Sequence, residues 1–541
     1  MKENSNLKRL LVIGLVLVML LSVALTAQAD SAQHSQAGPQ IYREGFLAGC
    51  PLSSLNTGCA HRLDIYVNEP LIALTWQGGL QPMLAESYDM EEDGKVWIFH
   101  LRENAKWHDG VPFTADDVVF SLNAYADPAV TSRRHVWTDA IMGYDEFRNG
   151  EADSLSGVTA LDEHTVRVEL ATAAPLWIKI QLPYLVMFPE HILGSVPRDE
   201  LINDSYWENR IGTGPFKWAD YAPDQYIELV RNDDWYLGTP KLDKIILQMY
   251  SDGASQVAAL ERGELDTTAY ETTLIGMDDV ERIDALDGID VVVMDKGSSA
   301  FIRFNHNDPL FADKRVRQAF RYAIDVDTLM ETVYVGGRPA YTMYPQPWTW
   351  PEGMNTYPYN PDKARELLNE AGWPSGREVD FIYYFTDSLS ADLVVAMQAY
   401  LADVGINIKP RLVDSAVQMD LLSNNTLETG LFGMGMGVDP SIGNGNLQCG
   451  AMLAQGYCNP ALDELFAKGA ALSDPDERAQ VYQEISMILN EELPDVWLWY
   501  DLRPLGFNRR VVGPYEHYSE QGTIYFNVPV YNEIEDWYIA G

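Results

Sequence analysis

Short segments in which apolar and polar residues alternate recur along the whole 541-residue chain. The segments Val96–Leu101, 165–170 and 289–293 show the period of two that is typical of half-buried strands. Segments with helical periodicity lie between them, and this interleaving predicts a mixed α/β fold. A chain of this length divides into roughly three or four domain-sized units.

Three predicted helices begin with recognisable capping residues. A capping box at 114–117 precedes an apolar stripe, and Asn360 and Asp474 each stand before a proline. Side-chain oxygens at these positions accept the free N–H groups of a helix's first turn, where proline also fits because it has no N–H to satisfy. Gly372 predicts the end of the second of these helices.

The N-terminus has the three parts of a secretory signal peptide. Basic residues precede an apolar run at 10–25, and Ala27 and Ala29 occupy the two positions that a signal peptidase reads. We therefore expect residues 1–29 to be removed and the mature chain to be exported. The alternative is an uncleaved anchor, because the apolar run is nearly long enough to span a thin bilayer.

The four cysteines form two close pairs, Cys50 with Cys59 and Cys449 with Cys458. An even number of cysteines in local pairs within an exported chain predicts two disulfides, each closing a short loop. Each disulfide would contribute about 2–3 kcal/mol by restricting the unfolded chain. A metal site is the alternative, and it is disfavoured because neither pair has the CxxC spacing.

The chain carries 38 basic and 79 acidic residues, which gives a formal net charge of -41. Such a surface repels the phosphates of nucleic acids and the head groups of anionic lipids, so neither is expected as a partner. A charge of this size favours solubility and carries no information about the fold.

The usual signatures of catalysis are missing from the sequence. It has no GxSxG, HExxH or GxGxxG motif and no phosphate loop ending in Gly-Lys-Ser or Gly-Lys-Thr. The turn at 212–216 resembles a nucleotide-binding loop, but Pro215 removes a backbone N–H that a phosphate would need. We expect no catalytic activity, cofactor or metal, with a secreted hydrolase as the remote alternative.

Two loops have the composition of a ligand-binding surface. Tyr344 and Trp348 lie in a proline-rich loop, and prolines fix the directions of such rings with little entropy left to lose on binding. The segment 432–440 combines glycines with Met434 and Met436, which suits close approach to a ligand or a contact between domains. The alternative for the aromatic rings is packing within their own domain.

Several segments resemble, in order, the family 5 extracellular solute-binding proteins of ABC importers, typified by dipeptide- and oligopeptide-binding proteins. One of them reads WHDGVPFTADDV. The resemblance covers essentially the whole mature chain and rests on the segments 82–88, 92–95, 99–102, 107–118, 212–216, 231–232, 313–325 and 360–373. Any one segment alone would be weak, whereas so many in order are specific for the family.

The resemblance implies a two-lobed, periplasmic-binding-protein-like α/β fold with hinge strands between the lobes and an extra subdomain inserted into lobe one. It places lobe one at 30–68, 208–299 and 507–541, the inserted subdomain at 69–207 and lobe two at 300–506. Family members close their lobes around the ligand and bury it, which is a hinge-type transition. A ligand drives closure only when it binds the closed form more tightly.

The resemblance also bears on the ligand. Peptide-binding relatives hold the ligand's α-ammonium with an aspartate three residues before an Asp/Glu-Pro pair; here the pair is Asp439-Pro440, and Met436 stands at that position. Gly433 stands where those relatives usually have a tryptophan. Burying an ammonium without a carboxylate would cost on the order of several kcal/mol. Either another acid such as Asp439 replaces the aspartate, or the ligand is not a standard free peptide.

A peptide is the first expectation, because peptide capture is the commonest activity in the family. A neutral oligosaccharide, an opine-like conjugate and a metal chelate are the alternatives, and aromatic faces stack well on sugar rings. We expect a monomer that delivers a peptide or other small molecule to the permease of an ABC importer. Eight residues are predicted to line the cleft: Phe46, Tyr344, Trp348, Phe432, Met434, Met436, Asp439 and Tyr500.

Overall fold

Nineteen strands lie in the part of the chain that the computed structural model describes, which is residues 38–56, 60–75, 78–268, 275–435, 437–521 and 530–540. They are β1 (Ile41–Leu47), β2 (Ile72–Thr75), β3 (Leu80–Pro82), β4 (Ala85–Glu91), β5 (Val96–Leu101), β6 (Val158–Asp162), β7 (Thr165–Glu169), β8 (Phe216–Ala222), β9 (Tyr226–Arg231), β10 (Lys244–Tyr250), β11 (Ile289–Phe304), β12 (Arg338–Pro339), β13 (Glu378–Tyr383), β14 (Asn407–Leu412), β15 (Thr429–Gly435), β16 (Val496–Asn508), β17 (Val511–Val512), β18 (Val530–Tyr531) and β19 (Tyr538–Ile539).

Helices alternate with these strands. They are α1 (Ala60–Tyr66), α2 (Ala115–Ala126), α3 (Tyr144–Arg148), α4 (Trp177–Ile180), α5 (Glu190–Leu193), α6 (Gly253–Glu261), α7 (Val280–Asp284), α8 (Pro309–Ala312), α9 (Lys314–Ala323), α10 (Val326–Thr332), α11 (Pro361–Ala371), α12 (Ser388–Asp403), α13 (Ser415–Ser423), α14 (Ser441–Asn444), α15 (Pro460–Ala471), α16 (Pro475–Glu492) and α17 (Pro514–Gln521). The mixed α/β prediction is confirmed.

The predicted helix caps are also confirmed. Asp117 accepts a hydrogen bond from the backbone N–H of Thr114 at 2.9 Å, as the capping box before α2 requires. Asn360 accepts from the N–H of Lys363 at 2.9 Å, and Gly372 ends α11 in the left-handed conformation with φ of 72°. Sequence-local interactions therefore set these helix ends.

The buried residues form three large clusters, which we call the small, subdomain and large cores. The small core draws on 42–67, 216–249 and 505–537 and packs on the sheet β1-β10-β9-β8, in which β1 runs parallel to β10. The subdomain core draws on 55–207 and packs on the antiparallel sheet β4-β5-β7-β6.

The large core draws on residues 300–500 and is built on a six-stranded sheet of order β12-β16-β11-β15-β13-β14. In this sheet β13 runs parallel to both β14 and β15, whereas β11 is antiparallel to β15 and β16. Helices α9, α11, α12, α15 and α16 supply the remaining buried faces. The carboxyl ends of β13 and β15 consequently lie at the same edge of the sheet.

Two long strands cross between the cores. β11 pairs with β16 from Ile289, opposite Asn508, to Ile302, opposite Val496. Met294 belongs to the small core, whereas the following residues from 300 onward belong to the large core. The pairing shifts register between Asp295 and Ser299, at the point where the strands pass from one core to the other.

Gly297 lies inside this register shift with φ of 64°, a backbone conformation that residues with a side chain rarely adopt. Its N–H donates to Oδ1 of Asp295 at 2.8 Å. A β-bulge at this point interrupts the ladder and bends the strand. The crossing strands therefore have a local irregularity where a hinge between the cores would need one.

The disulfide between Cys449 and Cys458 is present, which confirms that pairing. Cys59 lies outside the described residues, so its pairing with Cys50 stays a prediction, as does the signal peptide at 1–29. Among the described residues, no helix is both long enough and apolar enough to span a membrane.

Candidate functional site

A small apolar cluster joins the subdomain to the large core. Tyr184 is buried beside Leu74, and Trp137 and Val438 pack against them. Trp137 and Tyr184 come from the subdomain, whereas Val438 lies in the loop that follows β15. The two bodies therefore meet at the carboxyl end of β15.

Gly437 makes this approach possible. A Cβ atom at this position would lie 3.2 Å from Oη of Tyr184 and 2.5 Å from Cδ1 of Ile442. The backbone of Gly437 also has φ of 58°. A side chain here would be strained by its conformation and would separate the loop from the subdomain.

On the subdomain side, Trp137 and Tyr184 form a face-to-face aromatic stack, which we call the aromatic platform. Their ring centroids lie 4.1 Å apart and their planes differ by 11°. Arg134 holds the backbone that carries the Tyr184 ring. Its guanidinium donates to the carbonyl of Tyr184 at 3.1 Å and to Oδ2 of Asp64 at 3.0 Å. Arg134 and Asp64 are both buried, so this contact is rigid.

Asp139 lies two residues beyond Trp137 and keeps much of its surface exposed. Gln181 Nε2 donates to its Oδ1 at 3.0 Å, and Oε1 of Gln181 is buried without a hydrogen-bond partner. Surrounding protein raises the pKa of Asp139 by desolvation, and the nearby charge of Asp145 raises it further. Among the described residues, no basic group lies within ion-pair distance of Asp139.

On the large-core side, β15 has a partly unpaired edge. It pairs with β13 at Thr429 and Gly430, and this pairing ends before Leu431. Beyond that point the edge faces Tyr384, whose hydroxyl lies 3.4 Å from both the nitrogen and the oxygen of Gly433. These long contacts leave the backbone groups only weakly satisfied.

A second aromatic pair stands beside this edge. The rings of Tyr384 and Phe385 stack with centroids 4.2 Å apart. A Cβ atom on Gly433 would lie 3.1 Å from Cζ of Phe385, so the absence of a side chain lets the rings lie against the strand. Both rings directly follow β13, at the sheet edge where open α/β sheets bind their ligands.

A charged and aromatic layer lies against the crossing strands at their register shift. Arg338 pairs with Asp295 and lies 4.9 Å from the ring centroid of Tyr500 and 5.6 Å from that of Trp350. The two rings stack with centroids 5.6 Å apart. Asp501 accepts a hydrogen bond from a serine of β11 at 2.6 Å. These contacts hold the register shift in place.

Comparison with known proteins identifies the family. The model for "Bacterial extracellular solute-binding proteins, family 5 Middle" matches residues 79–447. The chain belongs to the family 5 solute-binding proteins.

Relatives of this solute-binding protein have more than one named ligand. A Brucella ovis protein named as an ABC transporter peptide-binding protein is 32% identical over 77% of this chain and 78% of its own. Heme-binding protein A of Haemophilus influenzae is 27% identical over the same shares. The ABC transporter substrate binding protein CtaP of Listeria monocytogenes has the same fold, with a TM-score of 0.79 and 23% identity over 93% of this chain and 100% of that one.

Three of the predicted cleft residues of this solute-binding protein have no exposed surface. Phe46 lies in the small core on β1, and Tyr344 and Tyr500 lie in the large core. The hydroxyl of Tyr344 donates to Oδ1 of Asn444 at 2.7 Å, and that of Tyr500 donates to the carbonyl of Tyr344 at 2.9 Å. In this conformation all three rings pack within their own core, which was the alternative considered for the aromatic residues of the proline-rich loop.

Phe432, Trp348 and Met434 have different surroundings. Phe432 is buried and packs on Phe301 with centroids 6.4 Å apart, on the core side of β15. Trp348 is 40% exposed and packs edge-on against Tyr482 at 5.7 Å. Met434 is half-buried on the same strand as Phe432. Met436 lies outside the described residues.

In this structure Asp439 is not a free carboxylate, although its place in the cleft stays a prediction. Its two oxygens accept from Nη1 and Nη2 of Arg478 at 2.7 and 2.5 Å, and Oδ1 also accepts from the N–H of Ser441 at 2.9 Å. Asp439 is 4% exposed and Arg478 7%. Both oxygens are occupied by a buried cation, so the carboxylate has no free face for a ligand.

Sequence reasoning did not find five residues near the contact between the bodies: Trp137, Asp139, Tyr184, Tyr384 and Phe385. The last two could have been found, because they follow a strand that runs parallel to its neighbours. The first three carry no local signal. Among the described residues, no group of three or more His, Cys, Asp or Glu side chains is arranged to hold a metal ion.

Proposed function

We propose that this chain is the non-enzymatic, exported binding component of an ABC importer, and that it captures a peptide-like solute and delivers it to a permease. The observation that carries the proposal is the partly unpaired edge of β15. This edge faces the ring pair of Tyr384 and Phe385, and the loop that follows it reaches the aromatic platform. The Brucella ovis relative, named as peptide-binding, points to the same ligand class.

An unpaired strand edge recognises extended backbone rather than particular side chains. An added peptide strand satisfies the N–H and C=O groups of such an edge through main-chain hydrogen bonds. Tyr384 reaches Gly433 only at 3.4 Å, so a ligand amide at about 2.9 Å would replace a weak contact with a stronger one. Aromatic rings on both sides would accept apolar side chains of varied shape.

The crossing strands support capture by closure. We infer that lobe two corresponds to 300–506, the inserted subdomain to 69–207, and lobe one to the remaining mature segments. Rotation about the irregular pairing near Gly297 would separate Val438 from the aromatic platform and open the site. The protein acts as a monomer in this scheme, because one chain supplies both sides of the cleft.

A thermal-shift screen of the mature chain, beginning at Asp30, tests the ligand class. The ligands are defined peptides of two to nine residues, neutral oligosaccharides, opine-like conjugates and haem. A ligand at a hundred times its dissociation constant stabilises the folded state by about 2.7 kcal/mol. We expect peptides to raise the melting temperature. A response to oligosaccharides or haem alone would refute the peptide proposal.

A variant pair tests the site itself. Tyr384→Ala removes a ring beside the unpaired edge, and we expect it to weaken peptide binding by about tenfold or more. Tyr359→Ala is the matched control, because Tyr359 is an exposed tyrosine whose ring packs on Tyr400 rather than on β15. Equal affinities of the two variants, measured by calorimetry, would place the ligand elsewhere.

A further inference from the structure

We propose that Glu69 and Glu535 bind a divalent cation, Ca²⁺, which ties the C-terminal segment 530–540 to the rest of the chain. This site is separate from solute capture, because neither glutamate belongs to the apolar cluster that joins the subdomain to the large core. Both glutamates line a cavity of about 30 Å³. A cavity of this size has room for one or two particles as large as a water molecule.

The walls of the cavity come from three parts of the chain. Asn68 and Glu69 follow α1, Trp235 lies between β9 and β10, and residues 531–535 belong to the C-terminal segment. Within that segment β18 pairs with β2 through two residues. The cavity is therefore closed only when the C-terminal segment is in place.

The two carboxylates that meet at this cavity are not neutralised by a basic group. Glu69 is 2% exposed; its Oε1 accepts from Nε1 of Trp235 at 3.0 Å, and its Oε2 has no hydrogen-bond partner. In Glu535, Oε1 accepts from the hydroxyl of Tyr531, and Oε2 is buried without a partner. Among the residues that the structure describes, neither carboxylate forms an ion pair, and the charge of Glu535 raises the pKa of Glu69. Enclosed carboxylates of this kind require a cation or a proton.

The polar groups around the two glutamates suit a hard cation. The site has two acids, fewer than the three in the metal groups considered above, and hydroxyls add to them. Those of Thr213 and Tyr236 lie near enough to Glu69 to lower its pKa, but neither makes a hydrogen bond of good geometry. Ca²⁺ prefers oxygen ligands, and two carboxylates balance its charge. Nδ2 of Asn532, a residue of the cavity wall, is buried without a partner and can donate to a water molecule on the ion.

Terbium luminescence tests the site directly. Tb³⁺ replaces Ca²⁺ at oxygen sites, and a nearby indole excites its emission; here that indole is Trp235, which is bonded to Glu69. The mature chain is first freed of metal with a chelator and kept at about pH 8.5, above the pKa of about 8 that burial gives Glu69, so that a proton competes less. About 0.2 M NaCl screens the acidic surface. We expect one saturable Tb³⁺ signal, displaced by Ca²⁺ with a dissociation constant of about 10⁻⁴–10⁻³ M and less readily by Mg²⁺, which gives up its water ligands reluctantly.

A variant pair assigns the signal to the cavity. Glu535→Gln removes one carboxylate, and we expect it to weaken Ca²⁺ binding about tenfold or more and to abolish the rise in melting temperature that Ca²⁺ gives the native chain. Glu533→Gln is the matched control, because it removes the same charge from an exposed position two residues away, and it should keep the native response. Glu69→Gln should behave as Glu535→Gln does, and if it fails to fold, the Glu535 variant still decides.

Two results would overturn the site. One is an equal Ca²⁺ response of the native chain and Glu535→Gln, which would assign the binding to the acidic surface. The other is a native chain without a saturable Tb³⁺ signal, which would leave a proton as the group that neutralises the pair. Neither result bears on solute capture, because none of these measurements contains a peptide.

Discussion

Removing the charge of Asp439 should destabilise the protein rather than change what it binds. In Asp439→Asn the guanidinium of Arg478 stays buried at 7% exposure but loses the carboxylate that accepts both of its Nη groups. Its Nε still donates to the carbonyl of Gly469 at 2.9 Å, so the side chain cannot easily turn out to solvent. Removing one partner of such a buried pair costs about 3–5 kcal/mol.

Urea denaturation followed by circular dichroism measures this loss. We expect the free energy of unfolding to fall by about 3–5 kcal/mol in Asp439→Asn and by less in the double variant Asp439→Leu/Arg478→Met, because the double variant leaves no uncompensated charge. Peptide affinity of the folded variant should change by less than about threefold, since the carboxylate faces Arg478. An unchanged unfolding free energy together with lost peptide binding would refute this reasoning and make Asp439 a ligand residue.

Three further predictions concern stability. Burial raises the pKa of Glu69 to about 8, so the folded state keeps a proton that the unfolded chain releases from about pH 4.5 upward. The free energy of unfolding should therefore fall as the pH rises from about 4.5 to about 8. Glu69→Gln should flatten the dependence of the melting temperature on pH between about 5 and 8.5. Replacing Cys449 and Cys458 by serine should lower the unfolding free energy by about 2–3 kcal/mol, and reduction of the native disulfide should give a similar drop. Gly297→Ala should cost about 1 kcal/mol and shift the balance of open and closed forms seen by small-angle scattering, whereas an unaltered profile would argue against a hinge at this position.

Features that depend on neighbours in sequence could be predicted. The caps before α2 and α11 follow from residues three positions apart, and the alternating segment Val96–Leu101 coincides with β5. The disulfide between Cys449 and Cys458 followed from the close spacing of the two cysteines in a chain that the sequence predicts to be exported. The α/β class followed from strand and helix patterns that alternate along the chain, and the family resemblance added the two-lobed arrangement, because ordered segments carry topological information that periodicity lacks.

Features that depend on distant residues could not be predicted. Asp439 looked like a free acid because its partner, Arg478, is 39 residues away on α16. Tyr500 looked available for the cleft, yet its hydroxyl bonds a carbonyl 156 residues earlier in the chain. Tyr184 was overlooked because Arg134, which donates to its carbonyl, is itself held by Asp64, 70 residues away from Arg134 in the sequence.

The crossing strands also bear on how such chains diversify. The segment between Ile302 and Val496 leaves and rejoins the rest of the protein through adjacent strands, so its two ends lie one strand spacing apart, about 5 Å. One contiguous stretch of the sequence therefore contains the whole large core and the sheet on which it packs. Recombination between two relatives at these points would exchange the large core as a unit, without altering the surface of the rest of the chain.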